Sequence, residues 1–151
     1  MPIGYEVDFL AVGKDSSRSG DAIALRYGNL SGLRSEQQVV VIDGGTKDSG
    51  GDLVAHVQKY FGTDRIDVVV STHPDADHSS GLSVVLENMD VGALWVHLPW
   101  NHVRQARGAF QSPRVTSASF AKRIQESLQN VETLEELARR RSVSIVEPFT
   151  R

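Results

Sequence analysis

No cysteine occurs among the 151 residues, which removes any disulfide framework, any thiolate metal ligand and any redox clue to compartment. No apolar run approaches the roughly 20 residues of a membrane-spanning helix. The segment from Met1 to Glu6 has no basic stretch leading into an apolar one, so no secretion signal is read there. The expectation is a cytoplasmic protein with no membrane partner. An excess of positive charge is missing as well: the formal net charge is −3, which argues against a broad electrostatic grip on nucleic acid but leaves room for a local basic groove. What is present is a chain 40% hydrophobic, enough for one globular domain with its own core.

The apolar pattern divides that chain into short elements. Tyr5 to Val12 alternates loosely and predicts a strand, and Ala22 to Tyr27 predicts a second. The polar loop between them, Gly13 to Gly20, reads either as a long hairpin tip or as a flap reaching a site. Gln37 to Ile42 predicts a third strand. Leu53, Val54, Val57, Tyr60 and Phe61 share one face of a helix that Gly62 stops, with His56 off that stripe and therefore read as solvated. A β-branched strand from Ile66 to Ser71, a helix from about Ser80 to Met89 and a strand from Ala93 to Val96 follow. Ser117 through Arg141 repeats apolar residues at helical spacing (Phe120, Ile124, Leu128, Val131, Leu134, Leu137), and Val143 to Val146 starts another strand. Arg139, Arg140 and Arg141 sit in the last helical turn, where cations suit the helix dipole, so they are read as a helix end rather than a nucleic-acid patch. Strands alternating with helices over short connections predict a single layered α/β domain spanning 1–151.

The chemistry is concentrated directly after the Ile66 strand. His73-Pro74-Asp75-Ala76-Asp77-His78 places four potential metal ligands in six residues, where the chain leaves the strand and its side chains are no longer sent to alternate faces. Their spacing predicts that His73, Asp75, Asp77 and His78 converge on one point. Imidazole and carboxylate without thiolate suit a divalent ion such as Zn or Mn. The plainer reading, in which Asp75 and Asp77 cap the following helix, uses one acceptor and leaves two histidines and a carboxylate unexplained.

These residues resemble the HxHxDH signature of the metallo-β-lactamase superfamily, with Asp75 where a second histidine is more usual. Val39-Val40-Val41-Ile42-Asp43-Gly44-Gly45 is similar to the strand ending in Asp-Gly-Gly that precedes that signature, and Gly20-Asp21-Ala22-Ile23 to the element before it. His-Pro-Asp followed by Asp-His and then Gly81-Leu82 most resembles the hydrolase domain of DNA-uptake competence proteins, and residues 5 to 98 carry the resemblance.

The resemblance implies half of an αββα sandwich, a mixed sheet with flanking helices, and up to two metal ions. His73 and Asp75 would serve the first ion, and Asp77 and His78 the second. Asp77 would also orient the attacking water, which makes it the catalytic candidate. An oxygen ligand at Asp75 moves the preference toward harder ions such as Mn without excluding Zn. The implied activity is metal-dependent hydrolysis of a phosphodiester, in a small molecule or a nucleic acid. A small-molecule ester or thioester hydrolase is the alternative enzyme, because one fold hosts many chemistries. A non-catalytic binding module that retains half a metal site is the alternative of another kind.

Further positions have two readings each. Asp43 is either a carboxylate that orients a ligand histidine or a strand-end turn residue before Gly44 and Gly45. His97, just past a strand end, is a pocket wall or structural residue before it is a ligand, and His102 ranks below it. Arg104, Arg107 and Arg114 either meet a substrate phosphate or are solvated surface charge. No histidine follows His102 and no aspartate follows Asp90, so the ligands that the family's second half supplies cannot be assigned. The chain therefore reads as an N-terminal half, weak or inactive alone, with an apolar face covered by self-association or by a C-terminal half.

Overall fold

The computed structural model describes residues 3–13, 20–102 and 118–148. Strands β1 (Gly4–Phe9), β2 (Ala22–Gly28), β3 (Gln37–Gly44), β4 (Arg65–Val70), β5 (Asp90–Trp95) and β6 (Ser144–Val146) form one six-stranded sheet in sequence order. β1, β2 and β3 are antiparallel neighbours, while β3, β4, β5 and β6 run parallel. Parallel neighbours need crossovers, and helices α1 (Lys47–His56), α2 (Ala76–Asn88) and α3 (Ala118–Arg140) supply them. Crossovers of one hand between successive strands lay all three helices on the same face. No described helix is long and apolar enough to cross a membrane.

Thr46 caps α1, its hydroxyl accepting from the Ser49 amide at 3.4 Å. A π-helical turn over Val57–Phe61 extends the helix to Gly62, whose φ of 65° ends it in the left-handed region. His56 is not solvated as its place off the apolar stripe implied. Its Nε2 lies 2.9 Å from Asp8 Oδ2, which ties α1 to β1. The helical sides meet the sheet in one core. Leu53, Val57 and Phe61 follow α1, Leu82, Val85 and Leu86 line α2, and Val131, Leu134, Leu137 and Ala138 line α3, all against Val39, Val41, Ile66, Val69 and Leu94.

The other face of the sheet is apolar and open. Cross-strand register aligns Phe9, Ile23, Ile42, Val70, Trp95 and Val146 in one row. Val7, Leu25, Val40, Val68 and Ala93 form the next. None of these residues is buried, and Phe9 is 74% exposed. The stripe carries no charge and runs about 25 Å across the strands.

At the opposite end of the strands from the metal-loop motif, Asp67 accepts from the Val39 amide at 2.8 Å and from Arg34 at 3.1 Å. Burial raises its pKa, but the Val39 amide and the Arg34 guanidinium outweigh burial and hold it below the usual carboxylate value. A depressed folded pKa gives stability that is complete above the unfolded value of about 3.9 and is lost as pH falls through the folded one. Asp67→Ala should therefore cost about 1–3 kcal/mol at neutral pH and flatten the acid limb of the stability curve. Urea melts of both proteins between neutral and acid pH check this; parallel acid limbs would contradict it.

Candidate metal centre

β4 lies between two parallel neighbours, so its C-terminal end opens at the rim where sites in such sheets gather. Ser71 still pairs with the sheet, its amide donating to Trp95 O at 2.9 Å. Asp75 then adopts an extended conformation at the N-cap of α2, and its carbonyl accepts from the amides of His78 (3.0 Å) and Ser79 (2.9 Å). The helix thus starts at Ala76 rather than near Ser80, and Asp77 and His78 belong to its first turn instead of an irregular loop. Successive residues on a helix diverge by about 100°, so these two side chains leave in different directions.

His78 turns inward. Its Nδ1 lies 3.2 Å from Asp43 Oδ2 and 3.7 Å from Asp21 Oδ2, and its ring centroid is 3.8 Å from that of His73. Asp43, 2% exposed, also accepts from the Thr72 amide at 2.9 Å and from the Thr72 hydroxyl at 2.5 Å. The Thr72 hydroxyl is in turn 2.9 Å from His73 Nδ1. Asp43 has φ of 54°, a left-handed conformation that Asp tolerates better than most residues but that still costs free energy. Three donors on its carboxylate hold it there. Asp43, His73 and His78 offer ligand atoms within 4.8 Å of one another, the grouping among the described residues that could hold a metal ion.

Asp75 and Asp77 fall outside that grouping. They line a hollow of about 140 Å³ with Ala76, Glu126, Ser127 and Asn130. Ser127 Oγ donates to Asp75 Oδ1 at 3.3 Å, and Asn130 Nδ2 donates to Pro74 O at 3.0 Å, so this side of the loop is fastened to α3. His97 is exposed past the end of β5 and is not part of the histidine cluster. Arg104, Arg107 and Arg114, most of the Gly13 to Gly20 loop and the His102 side chain lie outside the described residues.

Backbone contacts between glycines set the distance between α2 and the end of β3. The Gly81 amide donates to Gly45 O at 2.9 Å. A Cβ on Gly44 would come within 2.5 Å of the Leu82 amide nitrogen, and one on Gly81 would overlap Gly44 O. A Cβ on Gly20 would overlap the Asp77 carbonyl. Side chains at these positions would push His78 away from Asp43. Thr72 was not singled out by sequence reasoning, although a hydroxyl immediately before His73 at a strand end was visible. The glycine contacts left no sequence signal beyond the residues themselves.

The family model of the Metallo-beta-lactamase superfamily matches residues 25–144, from within β2 to the start of β6, taking in Asp43 and the whole His73 to His78 stretch. The chain belongs to that superfamily. Its six-stranded mixed sheet with helices is part of the corresponding fold. Comparison with curated proteins gives no match.

The donor set fits the divalent metals that this superfamily binds. Both imidazoles are held on their Nδ1 side, by Asp43 and by Thr72, so Nε2 is the atom each can present to an ion. The class is that of a metal-dependent hydrolase, and the metal's identity is not fixed by membership.

Proposed function

We propose that this chain is the metal-holding layer of a hydrolase acting on a phosphodiester or a related ester. The observation that carries the reading is the His73–His78 pair, with ring centroids 3.8 Å apart and each Nδ1 edge held by Asp43 or Thr72. When bound, a divalent ion supplies Lewis acidity and makes water a nucleophile at neutral pH. His73 and His78 hold it, and Asp43 keeps His78 oriented. Asp75 and Asp77 extend the site on the α3 side, and Asp77 has the part of orienting the attacking water. Zinc is favoured over manganese, because Asp75 is engaged by Ser127 and the nearest donors are imidazoles. Resemblance of the His73 to Leu82 stretch to competence hydrolases supports a phosphodiester, including one in nucleic acid.

Zinc content measured beside hydrolysis of bis(p-nitrophenyl) phosphate, on this chain and on any longer form, tests the proposal. Asp77→Ala should lower turnover at least about 100-fold with the melting temperature unchanged, because Asp77 contributes to the reaction and not to the core. Undiminished hydrolysis would reject its role.

The open sheet face supports a half-sandwich, since in this superfamily two sheets pack face to face. On that reading the isolated chain covers the face with a second copy of itself. It should sediment as a dimer or larger, and Val70→Lys, in the middle of the apolar row, should shift it to monomer. A wild-type monomer at about 100 μM would contradict this.

A further inference from the structure

We propose that Thr72 is a positioning residue that sets the tautomer of His73 and thereby turns its Nε2 lone pair to the metal. Protons can be counted along one chain of contacts. Asp43 is a carboxylate and can only accept. It takes the Thr72 amide on Oδ1 at 2.9 Å, and the Thr72 hydroxyl and His78 Nδ1 on Oδ2 at 2.5 and 3.2 Å. A hydroxyl has one proton, and the short contact to Asp43 uses it. At its 2.9 Å contact with His73 Nδ1 the Thr72 oxygen must therefore accept, so the imidazole carries its proton on Nδ1. Neutral imidazole has one N–H, which leaves Nε2 as a lone-pair donor. One carboxylate thus directs both histidines, His78 by direct contact and His73 through the Thr72 hydroxyl.

The arrangement is specific to the residue type. Valine has the shape of threonine but can neither donate to Asp43 nor accept from His73, whereas serine keeps both functions. Thr72 is exposed, so its replacement leaves the core untouched. The proposal rests on the reading of His73 as a metal ligand, and the experiment separates the two.

Long-range ¹H–¹⁵N correlation spectra of the metal-free protein, at a pH of about 8.5 where free histidine is neutral, report which ring nitrogen of His73 carries the proton. The expected result is Nδ1–H in wild type and Thr72→Ser, and a shift toward Nε2–H in Thr72→Val. Zinc titration of the same proteins should show affinity about 10- to 100-fold weaker for Thr72→Val, as for other residues that orient metal ligands, with Thr72→Ser close to wild type. Nε2–H in the wild type, or the same tautomer in wild type and Thr72→Val, overturns the relay. An unchanged zinc affinity in Thr72→Val overturns its part in metal binding. If His73→Ala binds zinc as wild type does while the tautomer still follows residue 72, the relay stands and the reading of His73 as a ligand fails instead.

Discussion

Titrated with zinc, His73→Ala and His78→Ala should each bind at least about 100-fold more weakly than wild type, beyond the 10- to 100-fold typical of residues that only orient ligands. The two rings are 3.8 Å apart between centroids, and each has its Nδ1 edge occupied by a protein partner. Remaining ligand groups cannot replace a lost imidazole without rearrangement, since Asp43 already accepts from Thr72 and His78, and Asp75 accepts from Ser127. The fold should tolerate both changes, because His73 is exposed and the His78 side chain lies outside the hydrophobic core. Circular dichroism melts run beside the titrations separate lost binding from lost structure. Equal zinc affinity in either variant would remove that residue from the site.

Gly81→Ala should have the largest effect on stability. Alanine in place of glycine inside a helix ordinarily gains about 1 kcal/mol. Here the added Cβ would overlap the Gly44 carbonyl, and atoms of the Gly44 and Thr46 backbone leave it no room. A flexible side chain could turn aside, but a strand end and the start of a helix cannot. Overpacking costs typically 1–3 kcal/mol and more where the obstacle is backbone. A net loss of about 3 kcal/mol is expected, lowering the melting temperature by about 6–12 °C in a domain of this size. Gly51→Ala is the control, since a Cβ there meets nothing within 4 Å. A Gly81→Ala variant as stable as that control would show that α2 is not pinned to β3 by this contact.

The elements of this fold were legible where the apolar pattern was long. Val39 to Ile42 and the Val131 to Ala138 stripe place their buried side chains where periodicity puts them, because burial against one sheet imposes that period. The continuous β-branched run of β4 reads as a strand buried on both faces, but Val68 and Val70 lie on the open one. The start of α2 was not legible. Ser79 and Ser80 advertise a helix cap, but Pro74 and an extended Asp75 begin the helix earlier, and both serine hydroxyls bond to carbonyls near that first turn instead. That shift of a few residues places Asp77 and His78 in the first turn of α2, where helical geometry gives their side chains different directions. Asp43 was visible as a candidate because Asp-Gly-Gly ends its strand. Its contact with His78 joins residues far apart in sequence, which no local pattern encodes.

The most direct test is X-ray absorption at the zinc edge of the metal-loaded protein, read beside the same spectrum from the His73→Ala/His78→Ala double variant. Imidazole backscattering from two histidines at Zn–N distances of about 2.0–2.1 Å is expected in the wild type. That signal should vanish in the double variant. A wild-type spectrum of oxygen ligands alone, or one that the double variant reproduces, would place the metal elsewhere.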